Sequence, residues 1–306
     1  DNGLFAIMGP TGAGKTTIVP GALLDTNVIS GTILLVQPRR VAAIMVARRI
    51  AKLRNSVVGA EVGYHIRFDK QVGNDTKIIV LTEGILLRRL QGDPFLEGVG
   101  AVLLDEFHER SINADLALAL ISEVQQEARP NLKLLIMSAT LDPKPLQSWL
   151  PGDVPVISSD GRCYPVEIVW GEPADTRPVE VRTAAAVRSA LQSSAGDVLA
   201  FLPGAGWIHS TAELLKDLVD VDVFTLYGSL PPSQQERALA LGKRRRVVLS
   251  TNLAESSVTV QGVTAVVDSG LQNQPKYLSK LGTTRLETIP ISRASAEQRT
   301  GRAGRV

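Results

Sequence analysis

Near the start of the chain, Gly9-Pro10-Thr11-Gly12-Ala13-Gly14-Lys15-Thr16 fits the pattern G-x-x-x-x-G-K-[ST]. Such a loop cradles nucleotide phosphates with backbone N–H groups at a helix N-terminus, a lysine for the β- and γ-phosphates and a hydroxyl for Mg²⁺. It follows the apolar run Leu4 to Met8 and opens a helical stretch, the context this chemistry needs. Gly9, Thr11, Gly12, Ala13, Gly14, Lys15, Thr16 and Thr17 are therefore the candidate nucleotide contacts, with Lys15 also catalytic and Thr16 also a metal ligand. The bland alternative is a glycine-rich turn with an exposed lysine.

Asp105 and Glu106 follow a second apolar run, Ala101 to Leu104. Acids at the C-terminal end of a parallel strand face the crevice where open α/β sheets bind ligands. Asp105 suits Mg²⁺, held through water, and Glu106, beside the same metal, suits polarisation of an attacking water. Adjacent acids at a strand end also serve as helix caps. His108 is either a coupling residue beside the site or a structural histidine. Ser138 and Thr140, after the run Leu132 to Met137, are either coupling hydroxyls or caps. At the far end, Gln298-Arg299-Thr300-Gly301-Arg302-Ala303-Gly304-Arg305 places arginines at successive i, i+3 positions. A helix beginning near Ala294 would hold them in a row, supplying charge to a phosphoryl-transfer transition state or, alternatively, to nucleic-acid phosphates. Phosphate chemistry at one end and arginines at the other imply two lobes that close on a nucleotide.

The elements that must position these residues alternate in period. Leu4–Met8, Ile33–Val36, Ile78–Leu81, Ala101–Leu104 and Leu132–Met137 read as buried strands, with helices over Gly14–Leu24 and Val41–Leu53. Turn formers at Ser158-Ser159-Asp160-Gly161 break the pattern, and a new series runs from Tyr164–Trp170 through Val198–Leu202, Val247–Ser250 and Ala265–Val267. Lys243-Arg244-Arg245-Arg246 reads as a solvated loop before a strand, or as a nucleic-acid contact. A chain of 306 residues suits two domains of about 150 residues each. With aromatic content of 4%, the core must be built from Val, Leu, Ile and Ala. The single cysteine, Cys163, excludes an internal disulfide and a multi-cysteine zinc site and suits a cytoplasmic location. A net charge of +2 is too small to establish nucleic-acid binding by itself.

In this order, the phosphate loop, Pro38-Arg39-Arg40, Thr82-Glu83-Gly84, Asp105–His108, Ser138–Thr140, Phe201-Leu202-Pro203-Gly204, Thr251–Ser257 and the closing arginine segment resemble a superfamily 2 helicase of the DEAH group. Asp105–Arg110 followed by Ala114–Leu120, with Val267–Leu271, is most similar to the bacterial HrpB-type ATP-dependent helicases. The resemblance implies two tandem RecA-like P-loop NTPase domains with mainly parallel sheets, an ATP-binding domain over 1–160 and a C-terminal helicase domain over 161–306. Since the sequence ends after the arginine motif, it is expected to be a fragment of a longer protein.

The same resemblance implies ATP and Mg²⁺ as cofactors and single-stranded RNA, or DNA, as partner. Gln298 would help position water and γ-phosphate, with Arg302 and Arg305 as catalytic fingers. Arg49 would stack on the base, and Leu239 stands where the group has a second, aromatic stacking residue. Base discrimination should therefore be weak. Arg39, Arg40, Thr82 and Thr251 would touch the RNA backbone, or else serve as loop and cap residues. Leu271 to Thr288 matches a β-hairpin associated with strand separation. The implied activity is an RNA helicase motor coupling hydrolysis to movement along, or remodelling of, nucleic acid. The alternatives are an ATP-gated RNA-binding clamp that does not unwind and a metabolic P-loop NTPase.

Overall fold

The computed structural model describes residues 4–9, 13–139, 143–150, 154–159, 164–172, 175–255, 258, 260–279 and 282–304. The chain divides into two compact units, Asp1–Gly161 and Arg162–Val306.

In the first unit, strands and helices alternate as β1 (Leu4–Met8), α1 (Lys15–Asp25), β2 (Thr32–Gln37), α2 (Arg40–Leu53), β3 (Val62–Ile66), β4 (Asp69–Gln71), β5 (Ile78–Thr82), α3 (Glu83–Gly92), β6 (Val99–Leu104), α4 (Ile112–Glu127), β7 (Lys133–Ser138), α5 (Pro143–Trp149) and β8 (Val156–Ser158). Among the described residues these strands form one sheet in the order β4-β3-β5-β2-β6-β7-β1-β8. Only the β3–β4 pair is antiparallel. Sheets covered on both faces read as continuous apolar runs, because each side chain is buried whichever way it points. The inner strands obey this: Leu34, Val36, Val102, Leu104, Leu134 and Ile136 pack with α3 and α4 on one face. Their neighbours Ile33, Leu35, Ala101, Leu103, Leu135 and Met137 pack with α2 on the other. The registers Met8↔Ser138, Leu104↔Ile136 and Val36↔Leu104 bring the C-terminal ends of β1, β7, β6 and β2 to one edge.

The second unit runs α6 (Val179–Ser193), β9 (Asp197–Phe201), α7 (Ala205–Leu214), β10 (Val221–Leu226), α8 (Pro232–Leu239), β11 (Arg245–Ser250), β12 (Val263–Asp268), β13 (Leu271–Leu278), β14 (Thr283–Pro290) and α9 (Arg293–Thr300). Its parallel sheet has the order β10-β11-β9-β12, and β13 and β14 pair separately as an antiparallel hairpin.

Two expectations need correction. Tyr164–Trp170 forms no strand: residues 164–172 carry no regular element, and Val169 and Trp170 are 84% and 86% exposed. An apolar run becomes a strand only beside a partner ladder, and among the described residues this one has none. Nor is the Lys243–Arg246 cluster a simply solvated loop. Arg245 and Arg246 begin β11. The Arg245 guanidinium donates to the carbonyls of Leu191, Ser194 and Gly196. Arg246, fully buried, pairs with Asp197 at 2.6 Å and donates to the carbonyls of Ala238, Ala240 and Gln261.

Removing one member of a buried pair strands the other charge, which costs about 3–5 kcal/mol. Asp197→Ala should therefore destabilise the second unit by about that amount, read as a lowered urea midpoint. A midpoint within error of the parent would show that the pair is dispensable.

Candidate nucleotide site

Gly14 caps α1 in the left-handed region, at φ 85°. This conformation ends the phosphate loop and turns Lys15 and Thr16 into the first turn of the helix. The Lys15 ammonium donates to the Gly9 carbonyl at the mouth of β1. Gly9 is held in turn by its N–H bond to Ser138 O on neighbouring β7. Gly9, Ala13, Gly14, Lys15, Thr16 and Thr17 are thus collected at one end of β1, while Thr11 and Gly12 lie outside the described residues.

Asp105 leaves β6 at the same edge and is buried. One carboxylate oxygen accepts from the Thr16 hydroxyl and from Gln37 Nε2, both at 2.6 Å; the other accepts from Glu106 N–H at 2.9 Å. Burial nevertheless holds its pKa above the ordinary carboxylate range, outweighing these hydrogen bonds and the nearby Lys15 charge. A hydroxyl and a buried carboxylate oxygen in contact make a donor set suited to a hard divalent cation.

Glu106 is also left-handed, at φ 50°, and so is Arg110, at φ 48°; the two bracket a 3-10 turn over Phe107–Glu109. Phe107 anchors that turn in the core. His108 faces both ways. Its Nδ1 receives the Ala139 N–H at 3.4 Å and lies 3.3 Å from the Ser138 hydroxyl. Because a backbone N–H only donates, a neutral His108 carries its proton on Nε2, which lies 3.4 Å from a Glu106 carboxylate oxygen. The structure therefore joins Glu106, His108 and Ser138; Thr140 lies outside the described residues.

The arginine segment differs from the expected row. Helix α9 stops at Thr300, so Arg302 lies beyond it. Arg299 is buried between Glu255 and Asp268, at 2.8 Å from each, with its guanidinium over the Phe201 ring. Arg302, also buried, donates to the carbonyls of Glu255 and Val258. Both side chains point into their own unit, because carbonyls and carboxylates there outcompete water for them. Gln298 is half-buried, and Arg305 lies outside the described residues.

Of the expected backbone-gripping residues, Arg40 is exposed at the start of α2 and Thr82 stands at the N-cap of α3 without making a capping bond. Thr251 does cap, accepting from Leu253 N–H at 3.4 Å. Arg39 is half-buried and pairs with Glu109 at 3.2 Å. Arg49 is exposed on α2, whereas Leu239 is buried and presents no face to a base. Sequence reasoning missed Gln37 and Glu109. Gln37 carried one signal, an amide at the end of an otherwise apolar strand; Glu109 carried none until the fold placed it against Arg39.

Family profiles match the chain as a DEAD/DEAH box helicase over residues 2–149 and as a helicase conserved C-terminal domain over residues 182–306. The chain is 46% identical over 301 residues to the ATP-dependent RNA helicase HrpB of Escherichia coli (strain K12), covering 97% of this chain and 37% of that protein. It is 35% identical to the ATP-dependent RNA helicase HrpA of Borreliella burgdorferi, covering 100% of this chain and 38% of that protein. For HrpA of E. coli the identity is 38%, with 100% and 24% covered. The crystal structure of the E. coli DEAH/RHA helicase HrpB superposes with a TM-score of 0.91 at 46% identity, over 99% of this chain and 39% of that one. A second, of the E. coli DExH-box NTPase HrpB, gives 0.83 at 46% identity, over 99% and 38%. Two tandem α/β helicase domains with a phosphate loop define the class, as expected from the sequence. The chain belongs to the DEAD/DEAH-box helicases, and among them to the bacterial HrpB type. It spans well under half the length of these relatives.

A Cβ at Gly14 would approach Ile18 Cδ1 to 2.6 Å, but Ile18 is 61% exposed and its tip can yield. The left-handed backbone is the larger obstacle, at about 1–2 kcal/mol for a residue with a Cβ. Gly14→Ala should thus weaken nucleotide binding about tenfold or more while lowering the melting temperature only slightly. Titration with a fluorescent ADP analogue checks this, and parental affinity would show that the loop does not need this backbone.

Proposed function

We propose that the chain is the motor core of an ATP-dependent RNA helicase, a nucleic-acid-stimulated ATPase acting along single-stranded RNA. The observation that carries this reading is the meeting of Lys15, Thr16 and the Asp105 carboxylate at the end of β1. Lys15 would hold the β- and γ-phosphates, with the backbone of Gly9, Thr11, Gly12, Ala13, Gly14 and Thr17 completing the cradle and Arg49 lying against the base. Mg²⁺ fits the Thr16–Asp105 donor set, and bound there it would neutralise charge on the phosphate oxygens. Glu106, next to that donor set, orients the attacking water. His108, Ser138 and Thr140 relay the state of the site through the contacts that His108 makes on both sides. Gln298 and Arg305 supply positioning and charge for hydrolysis, and Arg302 contributes by fixing the turn between them.

Arg39, Arg40, Thr82 and Thr251 grip phosphate and sugar without reading bases, so binding should be independent of sequence and should weaken with salt. A cytoplasmic location belongs to the same proposal; among the described residues no helix is long and apolar enough to cross a membrane.

Lys15→Ala should lose both nucleotide affinity and turnover. Glu106→Gln should keep nucleotide affinity yet lower turnover by about 10²-fold or more, since only the water loses its orienting base. ATPase rates with and without single-stranded RNA, alongside nucleotide titration, separate the two variants. Parental turnover in Glu106→Gln would remove that residue from catalysis. Displacement of a labelled strand from a tailed duplex distinguishes a helicase from an ATP-gated clamp, which would hydrolyse ATP on RNA and leave the duplex intact.

A further inference from the structure

We infer that Glu109 is a positioning residue for hydrolysis: paired with Arg39, it holds the turn that carries Glu106 in a resting form, and a nucleic-acid phosphate taking Arg39 releases that turn. The inference rests on the reading of Arg39 as a nucleic-acid contact.

The segment from Asp105 to Ser111 is tied along its length to the ends of β2 and β5, where Arg39, Arg40 and Thr82 of the proposed backbone-gripping residues sit. Gln37 Nε2 donates to Asp105, Arg39 pairs with Glu109, and the Ser111 hydroxyl donates to Glu83, the neighbour of Thr82. Between these ties the backbone is held in an unfavourable form. Glu106 and Arg110 both occupy the left-handed region, and such residues persist only where their surroundings over-determine them. Phe107 fixes the turn from inside the core, and the Arg39–Glu109 pair fixes it from outside. Glu109 acts directly on Glu106, because its N–H donates to the Glu106 carbonyl at 2.9 Å. In this form the Glu106 carboxylate faces His108.

Arg39 cannot serve two anions equally well. At 3.2 Å the Arg39–Glu109 contact is longer than a well-made charge-assisted hydrogen bond, and an RNA strand brings several phosphates whose oxygens can take the guanidinium in pairs. At 24% side-chain exposure for each partner, the Arg39–Glu109 pair is open enough for a phosphate to compete. Once Arg39 is taken, the turn loses one of its outer ties while those of Asp105, Arg110 and Ser111 remain, and the left-handed backbone at Glu106 can relax, carrying Glu106 away from His108. Polynucleotide would thereby raise turnover without touching the nucleotide.

The test is Glu109→Gln, which keeps shape and removes charge, assayed for ATPase with and without an oligo(U) single strand and for oligo(U) binding by fluorescence anisotropy. We expect RNA-free turnover to rise and the stimulation ratio to fall, each about two- to fivefold, the span of an ion pair at this exposure. Oligo(U) should also bind more tightly by a similar factor, since its competitor for Arg39 is gone. A merely structural ion pair would lower stability and leave the stimulation ratio at the parental value, and that result would overturn the inference. So would a fall in stimulated turnover with the RNA-free rate unchanged. Arg39→Gln gives a second reading: it should raise RNA-free turnover as Glu109→Gln does, while weakening oligo(U) binding instead of strengthening it. Should the parent itself neither bind oligo(U) nor respond to it, the helicase reading fails first.

Discussion

Burial of the Asp105 carboxylate is the constraint around which the first unit is arranged. A carboxylate removed from water must be compensated, and here the donors come from α1, from β2 and from the next residue in the chain. Compensation is incomplete. The pKa stays raised, so as pH climbs above the ordinary carboxylate range the folded state holds this proton more firmly than the unfolded state does. Ionisation of Asp105 therefore opposes folding above that range, and a bound cation would favour the ionised form. The parallel registers of β1, β7, β6 and β2 are what allow donors from separate segments to converge on a single oxygen.

The second unit depends on a different device, buried and half-buried arginines facing carbonyls. Arg245, Arg246, Arg299 and Arg302 each take main-chain oxygens from segments distant in sequence. A guanidinium has five fixed donors, so it can staple several loop carbonyls at once where a lysine offers a single point. Low aromatic content makes this useful, because few large rings are present to fill the spaces between helix ends and loops.

These two devices explain what was legible in the sequence. The phosphate loop could be read because its chemistry is local: glycines, a lysine and a threonine adjacent in the chain remain adjacent in the fold. Strands β1, β2, β5, β6, β7, β9 and β11 could be read because burial on both faces leaves an uninterrupted apolar run. The direction of an arginine could not. Arg299 and Arg302 show the spacing of a charged helix face, but their orientation is decided by Glu255, Val258 and Asp268, which only the tertiary fold supplies. Gln37 and Glu109 were hidden for the same reason.

The glycines of the closing motif make the same point from the opposite side. They argue against a plain solvated helix, and the helix indeed ends at Thr300, but helix propensity does not explain both. A Cβ on Gly301 would meet only ordinary contacts, at 3.4 Å from Glu297 O. A Cβ on Gly304 would come within 2.7 Å of Tyr164 O, where Gly304 O also accepts the Tyr164 N–H. Gly304 is required because backbone meets backbone there, and that contact anchors the otherwise irregular segment 164–172 at its first residue. The turn holding Arg302 is thus fixed on one side by carbonyls of 255 and 258 and on the other by Tyr164. Any motion of the arginine motif must carry these segments with it.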